Sequence, residues 1–245
     1  MKRLLFIAGA LLSANVAAAQ TIGTSKIYLI INGGYQLTAN DFVDGAVRRE
    51  NAEDGRVDSS YNVKAGPSFD IGGGGLVWRR LGVGVGVSRF TVSAPATVTG
   101  SVPHPFFFNR LRSANGESGP LTREELGVHV QLRAIVPAGN RFQVAVFGGP
   151  SFFQVKQGVV TGFTYTDSYP YDTAAFGSAA TGDSSASKIG FNGGGDVAFF
   201  FARQVGIGIT AQFAGTTVAL ASNGDATREV KVGGMKIGGG LRLRF

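Results

Sequence analysis

The chain has 245 residues and a formal net charge of +7, and it contains no cysteine. The lack of cysteine excludes disulfide bonds and thiolate metal sites, and two histidines far apart in sequence form no metal-binding pattern. Glycine, at 38 residues, is about twice as frequent as usual, but it alternates with branched apolar residues, as in 81–87, which excludes a collagen repeat. We expect neither a metal nor a cofactor.

Residues 1–19 are predicted to be a secretory signal sequence that is removed from the mature protein. Lys2 and Arg3 supply the charged start, residues 4–12 form a short apolar stretch, and small residues around Ala18 precede the cleavage point. The apolar stretch is shorter than the roughly 20 residues that span a bilayer. We therefore expect export, with 20–245 forming a single domain.

Apolar and polar residues alternate with period two in eight segments of the mature chain, as is typical of half-buried strands. Each segment reaches the roughly 9–11 residues that a tilted strand needs to cross a membrane. In chain order the predicted strands are about 26–37, 60–77, 81–94, 122–136, 141–157, 187–201, 205–218 and 230–245.

Short and long connections alternate between these strands. The short ones follow every second strand, and the long ones are 38–59, 95–121, 158–186 and 219–229. This rhythm predicts an all-β fold, an eight-stranded antiparallel up-and-down transmembrane β-barrel with short periplasmic turns, long extracellular loops and both termini in the periplasm. A soluble barrel of the lipocalin type is the alternative, but its apolar side chains would face inward.

The two faces of each predicted strand differ in polarity. On the seventh strand Val205, Ile207 and Ile209 share one face, and Thr210 and Gln212 share the other. Because Arg or Lys facing lipid at mid-depth costs about 2–4 kcal/mol, charges opposite an apolar face are predicted to point into the lumen. The expected lumenal charges are Lys64, Asp70, Arg133, Asp196, Lys236 and Arg242. Either they pair and fill the interior as a polar plug, or their basic excess lines a narrow path for anions.

Aromatic residues near the strand ends are predicted to form the girdles found at membrane interfaces. Trp78 and Phe142 belong to the periplasmic girdle, and Phe90 and Phe153 to the outer one.

The positive charge does not predict nucleic-acid binding. The long connections hold more acidic than basic residues, so the basic excess belongs to the barrel and to its rim at the short turns. Arginines at that rim are placed to contact anionic lipid headgroups: Arg79, Arg80, Arg141 and Arg203.

The two histidines do not indicate an active site. His129 is predicted to be lumenal and has no serine two positions away, unlike the His-x-Ser arrangement of eight-stranded lipid A deacylases. His104 lies between two prolines in a long connection. We expect no catalytic residues, and an outer-membrane lipid-modifying enzyme remains the weakest of the alternatives.

Two long connections combine aromatic and polar residues in a way that suits binding to a protein or a glycan. The candidate binding residues are His104, Phe106, Phe107, Phe108, Tyr165, Tyr169 and Tyr171. The alternative, which is compatible with binding, is that these connections extend the strands above the membrane and pack on each other.

The last strand ends in an alternating run in which Leu241, Leu243 and Phe245 share the apolar face. This ending resembles the C-terminal signal that the barrel-assembly machinery reads in bacterial outer-membrane proteins. The whole mature chain is similar to the small OmpA/OmpX-type barrels. The resemblance implies a monomer in the outer membrane of a Gram-negative bacterium, surrounded by phospholipid and lipopolysaccharide. The predicted role is structural or one of surface interaction through the loops, and a narrow pore is the alternative.

Overall fold

The computed structural model describes residues 26–37, 40–221 and 227–245, so the predicted signal sequence lies outside the described residues. Within these ranges no helix has both the length and the apolar character to cross a membrane. The strands are β1 (Ile27–Gln36), β2 (Phe42–Glu50), β3 (Glu53–Tyr61), β4 (Gly66–Trp78), β5 (Leu81–Ala94), β6 (Ala96–Pro103), β7 (Leu111–Glu117), β8 (Leu121–Ala138), β9 (Phe142–Asp167), β10 (Ala174–Phe200), β11 (Val205–Ala221) and β12 (Thr227–Arg244).

Eight of these strands close into one antiparallel barrel in the order β1-β12-β11-β10-β9-β8-β5-β4. The predicted eight-stranded up-and-down fold is confirmed, and the predicted strand 81–94 coincides with β5. The barrel closes because β1 pairs on both sides, with Ile31 opposite Ile71 of β4 and Leu241 of β12. Two backbone hydrogen bonds between Ile27 and Phe245, of 3.1 and 2.9 Å, end this seam.

Two connections that were predicted to be loops contain strands instead. Segment 38–59 supplies β2 and most of β3, and segment 95–121 supplies β6 and β7. Together they form a second antiparallel sheet in the order β2-β3-β6-β7. The alternation was hard to recognise because buried positions such as Ala96, Val98 and Ala114 carry small side chains, and the neighbouring residues are Thr, Ser, Gly and Asn, which are also common in loops.

The predicted loop 158–186 is mostly the far end of one long hairpin. β9 and β10 remain paired as far as Asp167 opposite Ala174, well beyond the other barrel strands. The extension is stable because Val160 and Phe163 are buried against the second sheet. The expectation that these connections pack on each other is confirmed, and 158–186 does extend the strands, whereas 95–121 forms strands of the second sheet.

Other predicted boundaries also shift. The second barrel strand begins at Gly66 rather than Ser60, because Tyr61 ends β3 in the second sheet. β11 continues to Ala221 and β12 begins at Thr227, so most of the predicted loop 219–229 that is described is strand.

We call the second sheet together with residues 158–183 the cap. Its core lies between the sheet and the hairpin extension and consists of Val57, Tyr61, Ala96, Val98, Val102, Ala114, Leu121, Val159, Val160, Phe163 and Ala174. A second apolar cluster lies inside the upper barrel and includes Phe153, Val155, Val218 and Val230. Phe42 packs against both clusters, so the cap is joined to the barrel mouth by continuous apolar contact.

The outer surface of the barrel is apolar. Ile207, Ile209 and Phe191 are 56%, 66% and 60% exposed, whereas polar neighbours on the same strands are buried inside. Phe90 and Phe153 were expected in the outer girdle, but each is 1% exposed. That prediction was wrong because both rings lie on the inward face of their strands.

Candidate functional site: barrel interior and cap

The lower interior, nearest the short turns, is organised around one buried carboxylate. Asp196 on β10 accepts two hydrogen bonds from Arg242 Nε, of 2.9 and 3.0 Å, and lies 3.2 Å from Arg133 Nη2. Arg242 also donates to Asn32 Oδ1 at 2.7 Å and to Thr210 Oγ1 at 2.8 Å. All five side chains are buried. Because buried charges persist only when they are paired and hydrogen bonded, this cluster joins five strands of the barrel wall.

Aromatic rings fill the space beside this cluster. The guanidinium of Arg133 lies 5.2 Å from the centroid of Tyr28 and 5.1 Å from that of Phe147. The Tyr28 side chain fits only because β4 and β5 present glycine to it: a Cβ at Gly74 or Gly84 would collide with Tyr28 Oη. The glycine-rich segments that the sequence analysis noted therefore make room for a lumenal ring.

The middle of the interior contains a hydrogen-bonded chain centred on His129. Its Nε2 lies 2.9 Å from Ser88 Oγ, and its Nδ1 lies 2.8 Å from Ser151 Oγ. Lys236 Nζ donates to Ser88 Oγ at 3.0 Å, and Asn192 Nδ2 donates to Ser151 Oγ at 2.8 Å. The chain thus crosses the barrel from β12 to β10.

The two serines were missed by the sequence analysis because it searched next to the histidine. They lie 41 and 22 residues away and reach His129 only through the strand register. A Ser–His pair is the first part of a nucleophile–base arrangement. Among the described residues, however, neither ring nitrogen of His129 bonds a carboxylate, so the third member of a Ser–His–acid triad is not in place.

The upper interior contains an ion pair that the sequence analysis did not include among the lumenal charges. Arg123 Nε donates to Glu125 Oε1 at 2.7 Å, and Arg123 Nη2 donates to the Lys231 carbonyl at 2.6 Å. The other carboxylate oxygen of Glu125 accepts from the Gly233 N–H at 2.8 Å. Arg123 and Glu125 stand an even number of residues from His129 on the same strand, so all three share its inward face. This alternation was a signal that could have identified the pair.

The predicted lumenal charges do not all lie together. Arg133, Asp196, Lys236 and Arg242 are buried in the interior. Lys64 is exposed and lies two residues before β4 begins at Gly66. Its predicted place in the lumen was wrong because the residue lies outside the barrel strand.

Asp70 does lie on the interior side, next to a small polar cavity. The cavity has a volume of about 40 Å³, and its lining includes Tyr28, Asp70 and Gln212. Tyr28 Oη, Asp70 Oδ1 and Gln212 Nε2 are buried without a hydrogen-bond partner. This is the part of the described lumen where polar groups are least satisfied.

The cap ends in what we call the tip, the two turns 104–110 and 168–172. His104 is buried, and its Nδ1 accepts the N–H groups of Phe106 at 3.1 Å and Phe107 at 3.2 Å. Tyr171 links the turns, because its ring lies 5.3 Å from Phe106. His104 is therefore a support for the turn rather than an exposed contact residue.

Most of the other candidate binding residues are brought together at the tip. Phe106, Phe107 and Phe108 are 68%, 57% and 75% exposed, and Tyr169 is 87% exposed. Tyr169 and Tyr171 pack edge to face with centroids 6.2 Å apart. The predicted set is thus one contiguous aromatic surface, with His104 beneath it and Tyr165 to one side.

Buried polar contacts hold the tip on the hairpin. Arg112 on β7 donates from Nη1 to Asp167 Oδ1 at 2.6 Å and to the Tyr171 carbonyl at 3.1 Å. Its guanidinium also lies 5.9 Å from the Tyr165 ring, whose hydroxyl donates to Glu50 Oε1 at 2.7 Å. Burial and the Glu50 carboxylate raise the pKa of Tyr165 to about 12. The described residues contain no cluster of three or more acidic or histidine side chains able to hold a metal.

Solved structures that resemble this chain are outer-membrane proteins. OprG from Pseudomonas aeruginosa shares 12% identity over 90% of this chain and 96% of its own, with a TM-score of 0.47. Neisserial surface protein A shares 13% identity over 91% of this chain and 99% of its own, with a TM-score of 0.43. Ail of Yersinia pestis shares 13% identity over 90% of this chain and 100% of its own, with a TM-score of 0.37. No protein-family model matches the chain, and no curated protein matches it. Similarity this distant leaves the function to be argued from the residues of this chain.

Proposed function

We propose that this protein is an integral outer-membrane barrel of a Gram-negative bacterium that acts by surface interaction through its cap. One observation carries the membrane assignment: apolar side chains cover the outside of the barrel, while charged and polar side chains fill the inside. A soluble barrel has the opposite arrangement, and so much exposed apolar surface is unstable in water unless something covers it. Lipid covers it here, with both termini in the periplasm and the cap outside the cell.

The height of the apolar surface fits a bilayer. On β12 the outward positions from Met235 to Phe245 are apolar or glycine, a rise of about 25 Å at ~3.3 Å per residue and a tilt of ~40°. Charged pairs stand outward above this level, with Arg89 3.6 Å from Glu124 and Lys156 2.9 Å from Asp183. The apolar band of outer-membrane barrels is about 25 Å tall, so the dimensions agree.

The interior supports a plug rather than a pore. Eight strands enclose a space that side chains can just fill. Here Arg242 pairs with Asp196, and Arg123 pairs with Glu125, and apolar residues such as Phe153 close the upper part. The cavity near Asp70 is the observation that favours the alternative, a narrow pore.

The C-terminal strand supports assembly by the barrel-assembly machinery. Leu241, Leu243 and Phe245 share its outward face, and the last residue closes the seam with Ile27. The barrel-assembly machinery would bind a recognition sequence in this position before the first and last strands pair.

Three measurements test this function. The refolded protein should migrate differently on a gel before and after heating, and planar bilayers that contain it should show no unit current. Stable current steps would contradict the plugged interior and favour the narrow pore. Binding of the protein to an extracellular protein or glycan should be lost when 104–110 and 168–172 are replaced by Gly-Ser linkers, with the heat-dependent shift retained. Unchanged binding by that variant would contradict a role for the tip.

A further inference from the structure

The aromatic tip has the properties of a surface that enters lipid. Phe106, Phe107 and Phe108 are consecutive and all more than half exposed, with Phe108 at 75%. Contiguous exposed apolar groups of this kind mark an interaction site on a stable protein. Phenylalanine rings carry no polar group, whereas protein and glycan sites combine aromatic rings with hydrogen-bonding groups.

The turn that carries these rings is held in place rather than collapsed. The buried His104 accepts two backbone N–H groups of the turn, and Asn109 N donates to Glu53 Oε1. A turn fixed in this way presents its rings without having to be ordered on contact, which lowers the free-energy cost of binding.

The tip also stands far from the cell that carries it. From Phe152, at the top of the apolar band, β9 runs to Asp167 beside the tip, a height of about 35–40 Å at ~3.3 Å per residue and a tilt of ~40°. The rings therefore lie too far above the apolar band to reach the membrane in which the barrel sits.

The charges around the rings favour a neutral lipid surface. Arg110 lies 5.7 Å over the Phe107 ring, but its guanidinium is paired with Asp172 at 2.8 Å. Glu53 accepts a hydrogen bond from the turn and adds a negative charge. Recognition of anionic lipid uses clusters of Lys and Arg, and the tip has no such excess among its described residues.

We propose, on the basis of the surface role above, that Phe106, Phe107 and Phe108 insert into the headgroup region of a zwitterionic bilayer on a facing cell. Arg110 and Tyr169 then lie at the level of the headgroups, where aromatic and cationic side chains are enriched. The cap is the rigid spacer that brings the rings to that bilayer.

The test is flotation of the full-length protein, held in nanodiscs, with phosphatidylcholine vesicles. The wild-type protein floats with the vesicles, and the Phe106→Ser/Phe107→Ser/Phe108→Ser variant shows a bound fraction at least about tenfold lower. Val47→Ser is the matched control, because Val47 is 69% exposed in the cap but lies on β2 away from the turn, and it floats like the wild type. Heat-dependent gel migration verifies the barrel in each variant.

A second readout uses the single tryptophan of the chain. In a Trp78→Phe background, Phe107→Trp places the only indole at the tip, and its emission shifts to the blue when phosphatidylcholine vesicles are added. If the triple variant does not fold, Phe108→Ser replaces it. Absence of both flotation and the blue shift overturns the proposal, as does binding that requires phosphatidylglycerol and disappears in high salt. If the tip instead binds a protein or a glycan and ignores vesicles, the lipid proposal fails and the surface role stands.

Discussion

Arg242 and Asp196 form a two-bond contact inside the lumen, with Nε of the arginine 2.9 and 3.0 Å from the two carboxylate oxygens. Arg242 belongs to the strand that closes the barrel seam, and Asp196 belongs to the long hairpin that carries the cap. The same carboxylate also pairs with Arg133 at 3.2 Å. One acidic side chain therefore pairs with two buried cations and links the seam to the hairpin.

Replacing this carboxylate should strongly destabilise the barrel. Asp196→Ala leaves Arg133 and Arg242 buried without a partner, and loss of one partner of a buried ion pair costs about 3–5 kcal/mol. The free energy of unfolding in urea, measured in lipid vesicles, gives this value. Asp183→Asn is the control, since the Lys156–Asp183 pair is exposed, and it should leave the unfolding midpoint unchanged. Equal effects of the two substitutions would show that the lumenal cluster contributes no more to the free energy of unfolding than an exposed ion pair does.

The glycines of the barrel wall should tolerate an added methyl group where it points outward but not where it points into the lumen. Gly84→Ala places a Cβ against Tyr28 Oη and against the β4 backbone, so we expect it to lower the unfolding temperature. Gly33→Ala points outward with no atom within 4 Å and should be neutral or slightly stabilising. Adding Tyr28→Phe to Gly84→Ala should recover part of the loss, because the hydroxyl is the atom in conflict. No recovery would mean that the backbone contacts dominate.

The cap should loosen without affecting the barrel when Arg112 is changed. Arg112→Met removes the bonds to Asp167 and to the Tyr171 carbonyl, so the tip turns lose their buried support. Limited proteolysis should cut the cap about tenfold faster or more, because cleavage follows the population of the open state. The heat-dependent gel shift of the barrel should remain. Arg56→Ala, at an exposed pair with Asp58, is the control and should not change the rate.

Alkaline pH should weaken the cap through Tyr165. Its pKa is raised from 10.0 to about 12, so the neutral phenol is favoured in the folded state. The resulting stabilisation is complete below pH 10 and is lost as the pH rises towards 12, when a tyrosinate would face the Glu50 carboxylate. Ultraviolet absorbance of tyrosinate and proteolysis of the cap should change together over this range. In Tyr165→Phe the same pH range should produce a much smaller change in proteolysis.

The last residue should matter more for assembly than for stability. Phe245 is 51% exposed, and its contacts with Ile27 are made by the backbone. Phe245→Gln should therefore refold in detergent with nearly normal stability but reach the outer membrane of cells in smaller amounts. Membrane fractionation measures the yield, and Ile27→Gln at the other side of the seam is the comparison. Normal yield in cells would contradict the assembly role proposed for the C-terminal strand.

The barrel was predictable because its signal is local. In β5 from Leu81 to Ser88, and in β11 from Val205 to Phe213, outward apolar residues alternate with inward glycine or polar residues. Lipid demands that pattern over the membrane depth. The cap strands β2 and β7 lie in water, where one face is free to carry any polar residue. Their pattern was therefore too weak to separate from a loop, although the aromatic residues of the tip were recognised as a set.

Alternation along the chain by itself determined which side chains face inward, and thus that His129, Arg133, Asp196 and Arg242 are lumenal. Only the tertiary structure decided which of them meet. The pairing of Asp196 with Arg242, and of His129 with Ser88 and Ser151, depends on register between strands that are distant in sequence. Period-two polarity is a property of single residues and their neighbours, whereas register depends on the packing of the whole wall, including the glycines that let Tyr28 into the lumen.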